Sequence, residues 1–256
     1  MLTVLSPAKN LDYTSELATS KFTQPQFMDE AQYLMGKLRK LSKKKIASMM
    51  SLSANLTDLN HERYQTWDPE FELGEARQAA LAFNGEVYWG LEAKTFSDDD
   101  FEFSQDHLRI LSGLHGLLRP LDLIKPYRLE MGTRWDITPK TKTLYRYWGN
   151  KITDALNETM AAAKTETLVN LASNEYFKVV QPERLNGQII TCHFKEMKNG
   201  EYKALMTYAK RARGTMAAYL IKNRIIDPSD IKGFNLDNYQ FNEALSTAKE
   251  LVFTRG

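Results

Sequence analysis

The amino-acid sequence predicts one α+β domain, a mixed sheet with helices packed around it and spanning residues 1–256. Three observations lead there. The 256 residues are 43% hydrophobic and 26% charged, a globular composition in a chain long enough to bury a core without a disulfide or structural metal. Short β-favouring runs and amphipathic helical stretches both occur. They interleave irregularly rather than as repeated strand–helix–strand units, so a doubly wound sheet is not the default expectation.

The elements follow in order. LTVLS at the start reads as a buried strand closed by Ser6-Pro7. From Gln26 to Leu41 the apolar positions Phe27, Ala31, Leu34, Met35, Leu38 and Leu41 fall at helical spacing. Lys43–Met50, Asn55–Tyr64 and Gly74–Phe83 read as shorter helices, and Asn84-Gly85 as a turn. Ser97 caps a helix whose first turn, Asp98, Asp99 and Asp100, complements the helix dipole. That helix is expected to reach Leu111 and stop near Gly113. Tyr147–Ala163 resumes helical spacing. Glu166–Leu171 and Gly187–Glu196 read as strands, with Asn199-Gly200 turning a hairpin into Glu201–Met206. Thr207–Ile226 is a long helix ended by Asp227-Pro228, and Leu251–Thr254 is a final strand.

Several classes of function are excluded by what these residues lack. The single cysteine, Cys192, allows no intramolecular disulfide and points to a reducing compartment. The N-terminus has no leader-like basic and apolar regions, and no apolar run approaches the ~18 residues of a membrane span. A cytoplasmic protein without membrane contact is expected. The four histidines (His61, His107, His115, His193) are scattered, and no Cys-x-x-Cys, P-loop or Gly-x-Gly-x-x-Gly occurs. Neither a metal nor a nucleotide cofactor is therefore expected.

Charge is nearly balanced, 34 Lys and Arg against 32 Asp and Glu, but it is segregated. Ala31–Thr57 holds Lys37, Arg39, Lys40, Lys43, Lys44 and Lys45 without an acid, and Tyr202–Ile226 holds six further cations without one. Between His107 and Lys151, nine cations face three acids. Such segregation builds either a basic cleft or separate solvated faces. The cleft expectation brings Arg119–Arg134 and Lys203–Arg213 onto one concave surface.

Three segments carry candidate chemistry. Ser6-Pro7-Ala8-Lys9 has the Ser-x-x-Lys spelling of some acyl-transfer enzymes, but Pro7 argues for a loop where those enzymes need a helix. In Ile110–Thr133, Gly113 and Gly116 bracket a turn after an acid-capped helix. This reads as a helix-hairpin-helix whose glycines let backbone N–H groups approach phosphate, or as an ordinary helix stop followed by a Pro-rich loop. After the strand at 166–171, Asn170, Ser173, Asn174 and Glu175 place polar groups at a strand's carboxyl end, where α/β sites form and where a helix cap also belongs. Gly214, inside the last long helix, implies a close neighbour, either a packed helix or a ligand.

SPAK, NGEVYWGL from Asn84, LSGLHGLLRPLDLIKPYRLEMGT from Leu111, LVNLASNEYFK from Leu168 and KRARGTMAAYLIK from Lys210 together resemble the YaaA family of bacterial peroxide-stress proteins. The resemblance runs in order from residue 3 to about residue 226. It implies an α+β fold particular to that family, a role in the response to hydrogen peroxide, and protection of DNA by limiting iron-driven oxidation. It also implies sequence-independent binding of duplex or branched DNA through a basic cleft and a helix-hairpin-helix-like element. Carried to this chain, the hairpin is Leu111–Leu118 with Gly113 and Gly116. The cleft residues are Lys9, Arg119, Lys125, Arg128, Lys195, Lys210, Arg211 and Arg213. The main expectation is thus a non-enzymatic DNA-binding protein. The alternative is an enzyme whose polar site comprises Ser6, Lys9, Asn170, Ser173, Asn174, Glu175 and Lys210. A third reading, an iron-binding protein, lacks carboxylate–histidine spacing.

Overall fold

Leu2–Leu5 (β1) is buried at every residue, which an apolar run without alternation requires: it needs cover on both faces, and the middle of a parallel sheet gives it. The computed structural model describes Met1–Gly256, and in it β1 lies between two parallel neighbours, Leu108–Ser112 (β2) and Thr167–Asn170 (β4). Gly116–Leu118 (β3) turns back antiparallel on β2. On the other side, β4 pairs in parallel with Gln188–Lys198 (β5), and β5 with Glu250–Arg255 (β8). Glu201–Lys203 (β6) and Gln240–Phe241 (β7) add antiparallel edges to β5 and β8. The eight strands form one mixed sheet in the order β7-β8-β5-β4-β1-β2-β3, with β6 beside β5.

The chain is the expected single α+β domain, yet its parallel centre, β2-β1-β4-β5-β8, has the strand order of a doubly wound sheet. Counting along the sequence hid this, because residues 6–107, including six α-helices, intervene between β1 and β2. From β1 the chain passes to β2 on one side, then crosses back to β4 on the other. The carboxyl ends of β1 and β4 therefore meet where the order reverses, the place where open α/β sheets bind ligands.

Helices formed where local chemistry asked for them. Met28–Leu38 (α1) buries Ala31, Leu34, Met35 and Leu38, one apolar stripe. Lys43–Met50 (α2) and Ala54–Thr66 (α3) start at Ser42 and Ser53, whose side chains accept backbone N–H bonds. After Glu86–Leu91 (α4), Asp98–His107 (α5) begins with a reciprocal capping box between Ser97 and Asp100. Leu144–Trp148 (α6) and Lys151–Ala162 (α7) replace the single helix expected over 147–163. Gly149, at φ +50° and ψ −120°, breaks it. Asn174–Phe177 (α8) is one turn, and Met206–Lys222 (α9) is the long helix near the C-terminus. The β5–β6 turn is Asn199-Gly200 with both φ positive, as the pair predicted.

Three local expectations fail. Residues 74–83 hold a single helical turn, Ala79–Ala82, between two-residue strands. Gly85 is extended rather than at positive φ, and it enters α4. Most consequentially, Leu111–Leu118 is no helical hairpin. α5 stops at His107, and Ile110, Leu111 and Ser112 pair with Leu118, Leu117 and Gly116 in a β-hairpin buried from Leu108 to Leu118. A short wholly apolar run has no period to separate helix from strand. The glycines answer to packing: a Cβ on Gly113 would sit 2.2 Å from the Leu129 carbonyl oxygen, and one on Gly116 within 2.6 Å of the Trp148 ring. Gly214 likewise serves packing. A Cβ there would lie 1.7 Å from the Val87 carbonyl oxygen, where α9 crosses α4.

Candidate functional site at the carboxyl ends of β1 and β4

Ser6 and Ser173 extend from the two strands that part at the order reversal. The Ser173 backbone N–H donates to Ser6 Oγ at 2.9 Å, and Ser6 Oγ donates to Ser173 Oγ at 3.2 Å. Ser173 is thereby held across to β1 rather than capping α8. Asn170 Oδ1 accepts from the Ala172 N–H and shapes the turn between them. Glu175 Oε1 accepts the Gly132 N–H at 3.0 Å, while the Glu175 carbonyl accepts from Tyr145. These bonds draw the Leu129–Thr133 segment over the strand ends. Of the polar group expected around Ser6, Ser173 and Glu175, the two serines are joined directly, while Glu175 bonds Gly132 and Tyr145 instead.

Glu130 is the hub that sequence reasoning missed. One of its oxygens receives Lys9 Nζ at 3.1 Å and both Nε and Nη2 of Arg128, at 3.1 and 2.9 Å. One carboxylate thus faces two cations, and the Glu175 carboxylate lies close enough for both acids to act on Tyr176. Lys9 is engaged with Glu130 and not with Ser6, so the Ser-x-x-Lys acyl-transfer geometry is not formed. Beneath the serines lie Tyr88, Tyr127 and Tyr176. Burial raises the pKa of each, and Tyr127 raises those of Tyr88 and Tyr176 further, so all three remain neutral phenols. Tyr88 donates to the Ser6 carbonyl and Tyr127 bonds the Ser112 hydroxyl.

From this cluster the contacts run to the helical hairpin α2–α3. Tyr64 donates to the Arg128 carbonyl, and Arg39 Nε donates to the Tyr64 carbonyl at 2.8 Å. Arg63 sits beside Tyr13, Tyr64 and Arg128, its pKa lowered by burial. In the opposite direction Asn10 pairs with Asn84, and Asn84 Oδ1 accepts from Trp89 Nε1 at 2.6 Å.

The remaining basic residues divide sharply. Lys125 is 9% exposed at its side chain and bonded to Asp68 (2.7 Å) and Glu75 (3.1 Å). Arg119 is committed to Asp122 and the Gln24 carbonyl. Arg213 is half-buried beside Cys192, and its Nε has no partner. Gly113 and Gly116 are enclosed, so their amides face the core rather than a phosphate. Lys195 is half-buried on β5. Lys210 and Arg211 are exposed on α9, and no bond joins Lys210 to Ser6, Ser173 or Glu175. The expected basic surface over 119–134 is therefore largely neutralised: Lys125 by carboxylates far away in sequence, Arg119 and Arg128 by their near neighbours Asp122 and Glu130.

No group of three or more His, Cys, Asp or Glu side chains is arranged to hold a metal, and no helix is long and apolar enough to cross a membrane. A parallel-centred mixed sheet with polar loops joined where its order reverses defines an α+β protein with a candidate site at that point. The family described as "Peroxide stress protein YaaA" matches residues 1–245, and the chain belongs to it. It is 52% identical to a UPF0246 protein of Saccharophagus degradans (strain 2-40 / ATCC 43961 / DSM 17024) over 255 residues, 100% of this chain and 99% of the relative.

Proposed function

We propose that this peroxide-stress protein works in the cytoplasm by gripping the DNA backbone without regard to sequence, so shielding it from iron-driven oxidation. The observation that carries the reading is the convergence of cations where Lys9 and Arg128 share Glu130 and Arg63 stands beside Arg128, at the edge where such sheets bind ligands. Continuity supports it. Arg39 and Arg63 adjoin Arg128 through Tyr64, and Arg211 shares a cavity with Trp89 and Asn84, the latter paired with Asn10, the residue after Lys9. Lys37, Lys40, Lys44 and Lys45 extend the strip beside Arg39 without an ion pair, Lys43 alone being matched, by Asp58. The helical hairpin that offers cations is then α2–α3, not 111–118.

The test is a mobility-shift series on duplex DNA at rising salt. Affinity should fall linearly on logarithmic axes, with a slope of about −0.9 for each phosphate neutralised. Arg39→Ala with Lys44→Ala should flatten that slope, and an affinity indifferent to salt would overturn the reading.

An enzymatic reading also has a specific observation in its favour. The paired hydroxyls of Ser6 and Ser173 stand over three neutral tyrosines. Such an arrangement binds and orients a small polar substrate. If this reading holds, Ser173→Ala abolishes turnover while leaving duplex binding intact.

A further inference from the structure

Next to the strip lies a cavity of about 850 Å³, lined among others by Asp12, Arg77, Asn84, Trp89, Glu92 and Arg211. This volume is in the range of pockets that take a drug-sized ligand. Its chemistry is mixed: an aromatic plane, a side-chain amide, the free carboxylates of Glu16 and Glu92, and an exposed guanidinium. Trp89 is 50% exposed, whereas Trp67, Trp135 and Trp148 are at most 4% exposed. An indole left half bare is a stacking surface, and this one is fixed in orientation by the 2.6 Å bond to Asn84.

The wall behind it is rigid. Arg77 is 5% exposed and clamps the Ser15 and Glu16 carbonyls and the Ser15 hydroxyl, while Asp12 is consumed by Thr14 and Ser15. The Glu92 carboxylate is bonded to nothing and remains an acceptor. Arg211, whose backbone packs on Gly90, carries its charge in solvent on the same cavity.

The geometry points to a nucleotide site: Trp89 stacks a base bearing an exocyclic amine, Glu92 accepts from that amine, and Arg211 meets the phosphate. Stacking needs only a π-face, the carboxylate favours adenine, cytosine or guanine over thymine, and the exposed rim cations Arg211 and Lys94 suit a phosphate. The same chemistry is offered by a free mononucleotide and by an unstacked base of a strand held on the adjoining strip. Only the strand source rests on the DNA-binding reading.

Tryptophan fluorescence and calorimetry with adenosine 5′-monophosphate, thymidine 5′-monophosphate and a short single-stranded oligodeoxyadenylate test the site. Saturable quenching by the adenine probes is expected, and Trp89→Phe should remove the signal while preserving most of the affinity in calorimetry. Trp89→Ala should weaken binding about tenfold, within the range that removal of a stacking aromatic produces. Arg211→Gln should weaken the monophosphate but not adenosine, and thymidine 5′-monophosphate should bind least. Tighter binding of the mononucleotide identifies the free ligand as the source, and binding of the oligonucleotide alone identifies the strand. Absence of saturable binding by both adenine probes overturns the proposal. So does unchanged affinity in Trp89→Ala that melts like the parent, and equal affinity for the thymine probe removes the Glu92 interaction. Duplex binding measured on the same samples separates the two readings. Retained duplex binding without nucleotide binding removes the pocket alone, and the converse removes the strip alone.

Discussion

Lys125 and Lys44 both lie in cation-rich stretches of sequence, and they end in opposite surroundings. Lys125 is enclosed between Asp68 and Glu75, over the Phe71 ring, with its charge matched. Lys44 stands in the first turn of α2, exposed, with no carboxylate near. There it opposes the helix dipole, a placement that costs a few tenths of a kcal/mol and that an anionic partner would relieve. The contrast teaches that cation density along a chain is not surface potential. Acids from distant segments decide which lysines remain free.

The comparison can be broken first at the glycines. Gly116→Val combines a β-branched residue at φ +66° with a clash against Trp148. It should cost several kcal/mol, at least the ~1–3 kcal/mol of a strained backbone position. A large fall in melting temperature is expected, with unchanged DNA affinity in whatever folded fraction remains. A drop in affinity at unchanged stability would return this turn to the interface.

What the sequence alone could reveal is clearest at such sites. β1, α1, the caps at Ser42, Ser53 and Ser97, and the Asn199-Gly200 turn are local chemistry and were legible. Ser6, Ser173 and Glu175 were legible as polar residues following apolar strands. The hairpin at 110–118 was not, since its apolar run fits helix and strand alike. Glu130, Tyr88 and Tyr127 were missed because only the folded chain brings them beside Ser6.

Acid lability sharpens the contrast between interior and surface. His115 is fully buried between Phe71 and Tyr127, neither ring nitrogen has a partner, and burial lowers its pKa to about 3. The unfolded chain takes up a proton near pH 6.5 and the folded chain does not. This site's contribution is thus intact above that pH and declines as pH falls from about 6.5 to about 3, by about 1.4 kcal/mol per pH unit. His115→Phe should flatten that part of a stability–pH curve measured by urea unfolding. An unchanged slope would mean that the ring is hydrated or bonded in solution.

Lys125→Ala should lower stability by about 1–2 kcal/mol, since its partners Asp68 and Glu75 are themselves solvated and the ion pairs are discounted accordingly. For a chain of this size that is a shift of a few degrees, about 2–4 °C per kcal/mol, readable by calorimetry. Equal stability would show that the pairing is incidental.

The smallest stability effect should accompany the largest binding effect, and that reversal is the most direct test. Two double variants, Arg119→Ala with Lys125→Ala and Lys44→Ala with Lys45→Ala, would be compared for melting temperature and for the salt slope of duplex binding. The first pair is expected to melt several degrees lower with its slope intact. The second should melt within about 0.5 kcal/mol of the parent, with a slope shallower by about 0.9 for each phosphate that is no longer neutralised. The reverse pattern, a slope that collapses without 119 and 125 and survives without 44 and 45, would contradict a basic strip centred on α2–α3.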